Sequence, residues 1–175
     1  GSALVSYDDV PNWDGGAHCS GGITVGGRTL STYLRASFAG ISSIGGYSCR
    51  QNTANPLKMS VHGSGRALDI MIPLDHGEAD NGVGDAIANW LIANSTEIGI
   101  QYVVWDRTQW SGSRSTSRVR PYTGPNPHID HIHAEITLPA SREETAFFGG
   151  GSTTPPPPPP PPAVPALEAR FVGQG

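Results

Sequence analysis

Two short stretches of the chain place ionisable side chains among apolar residues. SVHGSGRALDIM holds His62 and Asp69 seven residues apart, with two glycines between them. HIDHIHAEI, more than sixty residues downstream, alternates His131 and His133 with isoleucines. An acid or a histidine inside an apolar strand is costly unless it is paired or coordinated. We therefore expect these side chains to meet in one site.

The local pattern of both stretches predicts β-strands, over RALDIMI and HIHAEITL. Alternate residues of a strand share a face, so His131, His133 and Glu135 point one way and the isoleucines the other. Asp69 occupies the same position relative to its own apolar neighbours. If the two strands are adjacent, Asp69 and His133 converge, and His62 can close over them from the glycine-containing loop.

A set of two histidines and one carboxylate is typical of a catalytic zinc site, because three protein ligands leave a fourth position for water. Each half of the set is weak alone. An H-x-H pair on a strand is often exposed, and a glycine-rich loop beside an aspartate can be a simple turn. Together they favour Zn²⁺ bound by His62, Asp69 and His133.

The remaining pattern indicates the elements that must position this site. RTLSTYLRASF places Leu30 and Leu34 on one helical face, with Thr29 as a possible cap. VGDAIANWLIANSTEIG is the best helix, with Gly99 as a natural stop. ISSIGGYSCR is a turn or short strand, IQYVVW a strand, and SREETAFFGG a short terminal helix. Helices mixed irregularly with strands predict an α+β fold, with a mainly antiparallel sheet and flanking helices.

A polar stretch at residues 106–127 is predicted to be one long loop, and loops of that length inside a compact domain are usually functional. Trp110 within it could line a substrate groove or pack beneath the loop. Trp105 is expected in the core. We expect His128 to be a loop residue, with a role beside the metal ligands as the alternative. His18 and His76 match no motif and are expected in solvent.

The two cysteines of the 175-residue chain, Cys19 and Cys49, could be inert thiols, a metal pair or a disulfide. Zinc-binding cysteines usually have two to four residues between them, whereas these two lie thirty positions apart. We expect a disulfide, which implies an oxidising compartment. A net charge of -4 argues against a basic surface for nucleic acid. No apolar run reaches the length of a membrane span.

The motifs now described resemble a known superfamily. SVHGSGRALDI is similar to the S-x-H-x-x-G-x-A-x-D signature of the zinc D-alanyl-D-alanine carboxypeptidases and L-alanyl-D-glutamate endopeptidases of cell-wall metabolism. These share a fold with the Hedgehog signalling domain. GGYSCR, ending at Arg50, resembles the G-Y-x-x-R element, and DHIHAEI resembles the closing D-H-x-H strand. YVVW after an amphipathic helix fits a secreted branch. The resemblance covers roughly residues 17–138.

The resemblance implies roles for individual residues. It supports the zinc set and matches Asp130 to the general base of the endopeptidase branch. Arg50 matches the arginine that contacts the substrate or the scissile carbonyl, although a surface salt bridge is the alternative. His131 matches the non-ligand histidine of the H-x-H pair and could orient Asp130 or stabilise the same charge. The Glu-x-x-Trp-His ending of the carboxypeptidase branch is missing, which favours an endopeptidase.

The chain is predicted to have two parts, a zinc peptidase-like domain over residues 1–148 and a Gly/Pro-rich linker or tail over residues 149–175. Eight consecutive prolines in the tail predict a polyproline II rod, acting as a spacer or as a ligand for an aromatic groove.

The resemblance, together with the expected disulfide, implies an endopeptidase that acts on peptidoglycan stem peptides. We expect it to be monomeric and secreted, periplasmic or cell-wall associated. The alternatives are a carboxypeptidase, a zinc-containing binding domain without hydrolytic activity, and a structural domain with an incidental histidine cluster.

Overall fold

The computed structural model describes residues 4–149, and the proline tract lies outside them. Six strands are present in this part of the chain: β1 (Ser43–Gly45), β2 (Ala67–Met71), β3 (Ile100–Trp105), β4 (Thr108–Ser111), β5 (Val119–Pro121) and β6 (His131–Ile136). The helices are α1 (Val25–Ser37), α2 (Asn81–Ala93), α3 (Ser95–Ile98) and α4 (Leu138–Ser141), with 3₁₀ helices at Val61–Ser64 and Ala146–Phe148.

The strands form one sheet in the order β1-β2-β6-β3-β4-β5, and every neighbouring pair is antiparallel. The predicted α+β class with an antiparallel sheet is confirmed. The last strand of the sequence, β6, is inserted between β2 and β3. This insertion brings the two ionisable stretches into direct contact.

One face of the sheet carries the main hydrophobic core, against α1 and α2. Leu30 and Leu34 of α1 are fully buried there, as the helical spacing predicted. Trp105 is also fully buried, which confirms its expected place. A side chain at Gly84 of α2 would lie 2.0 Å from the Trp105 ring, so the glycine lets the helix pack directly on the tryptophan.

Helix boundaries differ from the sequence prediction at both long helices. Helix α1 begins at Val25, one turn before the predicted cap, because the Thr24 hydroxyl accepts a hydrogen bond from the Gly27 N–H at 3.3 Å. The predicted helix ending at Gly99 is divided at Asn94 into α2 and α3. Gly99 does end α3, with a left-handed φ of 91°.

The prediction of a single long loop at residues 106–127 is wrong, because strands β4 and β5 lie within this range. Asp106 and Arg107 both take positive φ values, of 42° and 61°, and form a tight turn between β3 and β4. Such turns are usually signalled by glycine, which is missing here. Trp110 on β4 is 1% exposed and belongs to the core, which decides the question that the sequence left open.

The predicted disulfide between Cys19 and Cys49 is confirmed. It ties the irregular segment before α1 to the segment that carries Arg50. Closing a loop of this length stabilises a fold by about 3 to 4 kcal/mol on the chain-entropy model. Within residues 4–149, no helix combines the length and the apolar character that crossing a bilayer requires.

Candidate metal centre

The pairing register between β2 and β6 brings together the two side chains at the centre of the site. Asp69 lies directly opposite His133 in this antiparallel pair, while Ile70 lies opposite Ile132 on the other face. The alternation of polar and apolar residues therefore sends both ionisable side chains to the same side of the sheet. The predicted convergence of Asp69 and His133 is confirmed.

The turn before β2 supplies His62. Ser60 begins this 3₁₀ helix, and its hydroxyl accepts a hydrogen bond from the His62 N–H at 3.3 Å. Gly65 ends it in a left-handed conformation, with φ of 69°, and a side chain there would lie 2.3 Å from the Gly22 carbonyl oxygen. The serine and the glycine of the S-x-H-x-x-G pattern thus shape the turn that presents the histidine.

One oxygen of Asp69 lies between the two histidines. Its Oδ1 is 3.4 Å from His62 Nε2 and 3.3 Å from His133 Nδ1. One ligand atom from each of the three residues can be chosen so that all lie within 4.8 Å of one another. This spacing is compatible with a single metal ion among them.

In both histidines, the ring nitrogen that points away from Asp69 is within hydrogen-bonding distance of another group of the protein. His62 Nδ1 lies 3.0 Å from the Gly46 carbonyl oxygen, and His133 Nε2 lies 3.0 Å from Glu135 Oε1. Carbonyl and carboxylate oxygens can only accept, so these ring nitrogens carry the protons. Nε2 of His62 and Nδ1 of His133 are left facing Asp69. The donor set fits a zinc ion.

The same contacts shift the pKa values of the metal-free site. Burial alone would raise the pKa of Asp69, but hydrogen bonds from His133 and His62 outweigh it and hold that pKa well below its usual range. Burial works to lower the pKa of His133, but its hydrogen bonds to Asp69 and Glu135 outweigh it and raise the pKa to about 9. A bound metal must therefore displace a proton from His133.

His131 and Asp130 form a hydrogen-bonded pair beside the triad of His62, Asp69 and His133. His131 Nδ1 lies 2.7 Å from Asp130 Oδ1, and His131 Nε2 lies 3.8 Å from Asp69 Oδ1. The imidazole thus stands between the Asp130 carboxylate and the triad. His131 lines the cleft described below, whereas Asp130 is half-exposed and is not among the described residues that line it.

Arg50 is exposed at the cleft, where it is the only arginine or lysine among the described lining residues. Its guanidinium donates to the neighbouring Gln51 carbonyl at 3.1 Å. Among the described residues, no carboxylate lies within salt-bridge distance of this guanidinium, so the surface ion pair considered as its alternative role is not formed here.

His128 was expected to be a loop residue, and it does lie in a loop, but it also lines the cleft. Its backbone is left-handed, with φ of 55°, and its Nδ1 lies 2.5 Å from the Asn126 carbonyl oxygen. Burial, followed by the charges of His131 and His133, lowers the pKa of His128 to about 4. A neutral ring results, and its Nε2 can accept a hydrogen bond.

The triad opens into a cleft of about 580 Å³. Tyr7, Tyr102 and Tyr122 contribute to its walls, together with the loop around Asn52 and the loop around Asn126. Burial, and then the charge of Glu135, raises the pKa of Tyr7 to about 12, so its hydroxyl stays protonated at neutral pH. The walls offer aromatic faces beside hydroxyl and amide groups.

The other two histidines of the described chain lie in solvent, as expected. The His18 and His76 side chains are exposed, and each contacts a nearby acid, Asp14 and Asp75 respectively.

A family model described as "VldE, C-terminal domain" matches residues 19–133, which is more than half of the chain. The chain therefore belongs to this family. The matched segment runs from Cys19 to His133 and contains all three residues of the triad. No curated protein and no solved structure gives a significant match.

Proposed function

We propose that this member of the VldE C-terminal domain family is a zinc metallopeptidase that hydrolyses peptide bonds in peptidoglycan stem peptides, as an endopeptidase. The observation that carries the proposal is the convergence of His62, Asp69 and His133 in an open cleft. Three protein ligands beside open space are typical of catalytic rather than structural zinc sites.

The choice of a peptide bond rests on the resemblance described above, to the zinc carboxypeptidases and endopeptidases that share the Hedgehog fold. The serine, histidine, glycine and aspartate of their signature have matching positions here, and Ser60 and Gly65 have clear structural reasons to be present. The missing Glu-x-x-Trp-His ending favours an endopeptidase. A disulfide fits the extracytoplasmic location that such a substrate requires.

His62, Asp69 and His133 would hold the zinc ion through Nε2, a carboxylate oxygen and Nδ1. When bound, zinc supplies Lewis-acid activation of water and of the scissile carbonyl. The other residues of the cleft then have to move protons and stabilise charge.

Asp130 and His131 are proposed to handle the protons as one unit. Since His131 lies between Asp130 and the triad, its Nε2 is the atom that faces the reacting groups. Asp130 accepts from His131 Nδ1 and holds the ring in that orientation. The geometry therefore favours His131 as the group that exchanges the proton, with Asp130 behind it, over direct proton transfer to Asp130.

Arg50 is proposed to face the negative charge that develops on the carbonyl oxygen, or a carboxylate of the substrate. It is the only arginine or lysine among the described lining residues, and it lies on the segment that the Cys19–Cys49 bridge anchors. Removing a donor of this kind typically lowers a rate by about 10²- to 10³-fold.

The test is digestion of purified muropeptides with zinc-loaded protein, followed by mass spectrometry of the products. New peptide termini would identify the bond. His131→Ala and Asp130→Asn should keep zinc and fold but slow turnover by about 10²- to 10⁴-fold. His76→Ala, an exposed histidine outside the cleft, is the matched control and should retain the wild-type rate.

Two results would change the proposal. Wild-type turnover by both His131→Ala and Asp130→Asn would remove the proposed acid/base unit. A zinc-loaded wild type that binds muropeptides and cleaves none would be a binding domain, an alternative favoured by the position of Asp130 outside the cleft lining.

A further inference from the structure

Glu135 is a buried carboxylate next to the triad, and the proposed mechanism gives Glu135 no role. It is 6% exposed, it lies two residues after His133 on β6, and it shares the cleft face with that histidine. Its Oε1 is 3.0 Å from His133 Nε2, on the side of the ring opposite Asp69. The ring of His133 is therefore held between two carboxylates.

A β-bulge aims a second side chain at Glu135. The register between β3 and β6 shifts between Ile100 and Tyr102, so Gln101 is the extra residue. Gln101 is fully buried, and its Nε2 donates to Glu135 Oε2 at 3.2 Å. Bulges beside functional sites commonly redirect one side chain in this way.

The N-terminal segment fixes Gln101 in turn. The Asp8 N–H donates to Gln101 Oε1 at 3.0 Å, and Gln101 Nε2 also donates to the Asp8 carbonyl at 3.3 Å. Arg66, which is 5% exposed, donates to the same Asp8 carbonyl at 3.1 Å. The amide group of Gln101 thus has fixed partners on both its oxygen and its nitrogen, and it cannot turn away from Glu135 without breaking them.

We propose that Glu135 is a positioning residue for the metal centre: it keeps the proton of His133 on Nε2 and turns Nδ1 toward the metal, and the bulged Gln101 holds Glu135 in place. The proposal rests on the metal site of the proposed function, but not on peptide hydrolysis. A carboxylate that accepts from the outer nitrogen of a ligand histidine fixes its tautomer and makes the ring a stronger ligand.

The decisive measurement is zinc affinity, determined by competition with a chelator. Glu135→Met, which fills the space without accepting a hydrogen bond, should weaken zinc binding by about 10- to 100-fold. Glu135→Gln should recover part of the loss, because its amide oxygen can still accept from Nε2. Glu97→Gln, an exposed glutamate on α3, is the control and should bind zinc as the wild type does.

A second readout separates positioning from general destabilisation. Long-range ¹H–¹⁵N spectra of the zinc-loaded wild type should show His133 protonated at Nε2 and zinc-bound at Nδ1. Glu135→Met should broaden or shift that Nε2 resonance, and Gln101→Met should do so to a smaller extent. Thermal melts of the zinc-free proteins establish how much of each effect comes from lost stability.

The outcomes distinguish the two proposals. If wild type binds zinc and Glu135→Met and Glu135→Gln bind it equally well, the positioning role is overturned while the metal site stands. If the wild type binds no zinc, the metal site and the positioning role fall together. Wild-type affinity and spectrum in Gln101→Met would remove Gln101 alone from the proposal.

Discussion

The two faces of strands β2 and β6 have opposite chemistry. On the cleft face, Asp69 lies opposite His133, with Glu135 two residues further along β6. On the other face, Ile70 lies opposite Ile132, and both side chains are fully buried in the main core. Adjacent residues of the same strands therefore experience an open polar cleft on one side and a closed apolar interior on the other.

The difference shows that one face of the sheet stabilises the fold and that the other face carries the candidate metal site. Burial of apolar surface against α1 and α2 stabilises the fold from one side. The other side keeps acids and imidazoles in mutual contact, which is tolerable because each has a hydrogen-bonding partner. Changes on the cleft face should then alter metal binding more than stability, and changes on the core face should do the reverse.

The largest effect is expected on metal binding when a ligand is removed. His133→Ala should abolish stoichiometric zinc, because only His62 and Asp69 would remain of the proposed ligands. Metal analysis of the purified wild type and variant, after dialysis against a weak chelator, measures this directly.

The neighbouring residue provides the control. Ile132→Val changes the core face one position earlier and should keep zinc while lowering stability by about 0.5 to 1.5 kcal/mol. Equal zinc content in His133→Ala and wild type would contradict the assignment of the ligand set.

The next effect is on stability alone. Ile70→Ala removes a fully buried side chain from the core face and should lower the free energy of unfolding by about 2 to 5 kcal/mol. The folded fraction should still bind one zinc ion, although Asp69 is its immediate neighbour in sequence. Chemical denaturation and zinc titration on the same samples would test both halves, and a folded variant that cannot bind zinc would show that the two faces are coupled.

Much of this arrangement could be predicted from the sequence because it depends on strand alternation. A period of two places His131 and His133 on one face whatever the rest of the fold is. Alternation alone does not determine that β2 pairs with β6; that pairing, with Asp69 opposite His133, comes from the structure. His62 could be added because the glycine-containing loop just before β2 can bring it over Asp69. The structure adds that Ser60 caps this turn and that Gly65 ends it in a left-handed conformation.

Other features could not be predicted because they depend on contacts between distant segments or on unusual backbone. The β3–β4 turn uses Asp106 and Arg107 at positive φ without a glycine, so its strands looked like a loop. His128 enters the cleft through a left-handed backbone that its sequence does not signal. Glu135 was placed on the correct face, but its role depends on Gln101, which reaches it through a bulge.

The smallest effect, and the sharpest comparison of the two faces, comes from two adjacent valines on β3. Val103 lies opposite Ala134 and belongs to the core, whereas Val104 lies opposite His133 and lines the cleft. Both are almost fully buried, and threonine has nearly the shape of valine, so the substitution Val→Thr tests chiefly whether a hydroxyl can find a partner.

Val103→Thr places the hydroxyl among apolar side chains and should lower the free energy of unfolding by about 1 to 3 kcal/mol. Val104→Thr places it at the cleft wall, beside the polar groups around His133, so the loss should stay below about 1 kcal/mol. Denaturant unfolding of the zinc-free variants measures both values without interference from metal binding. Equal losses would mean that the cleft face beneath His133 is as dry as the core, and that its polar groups depend entirely on one another for partners.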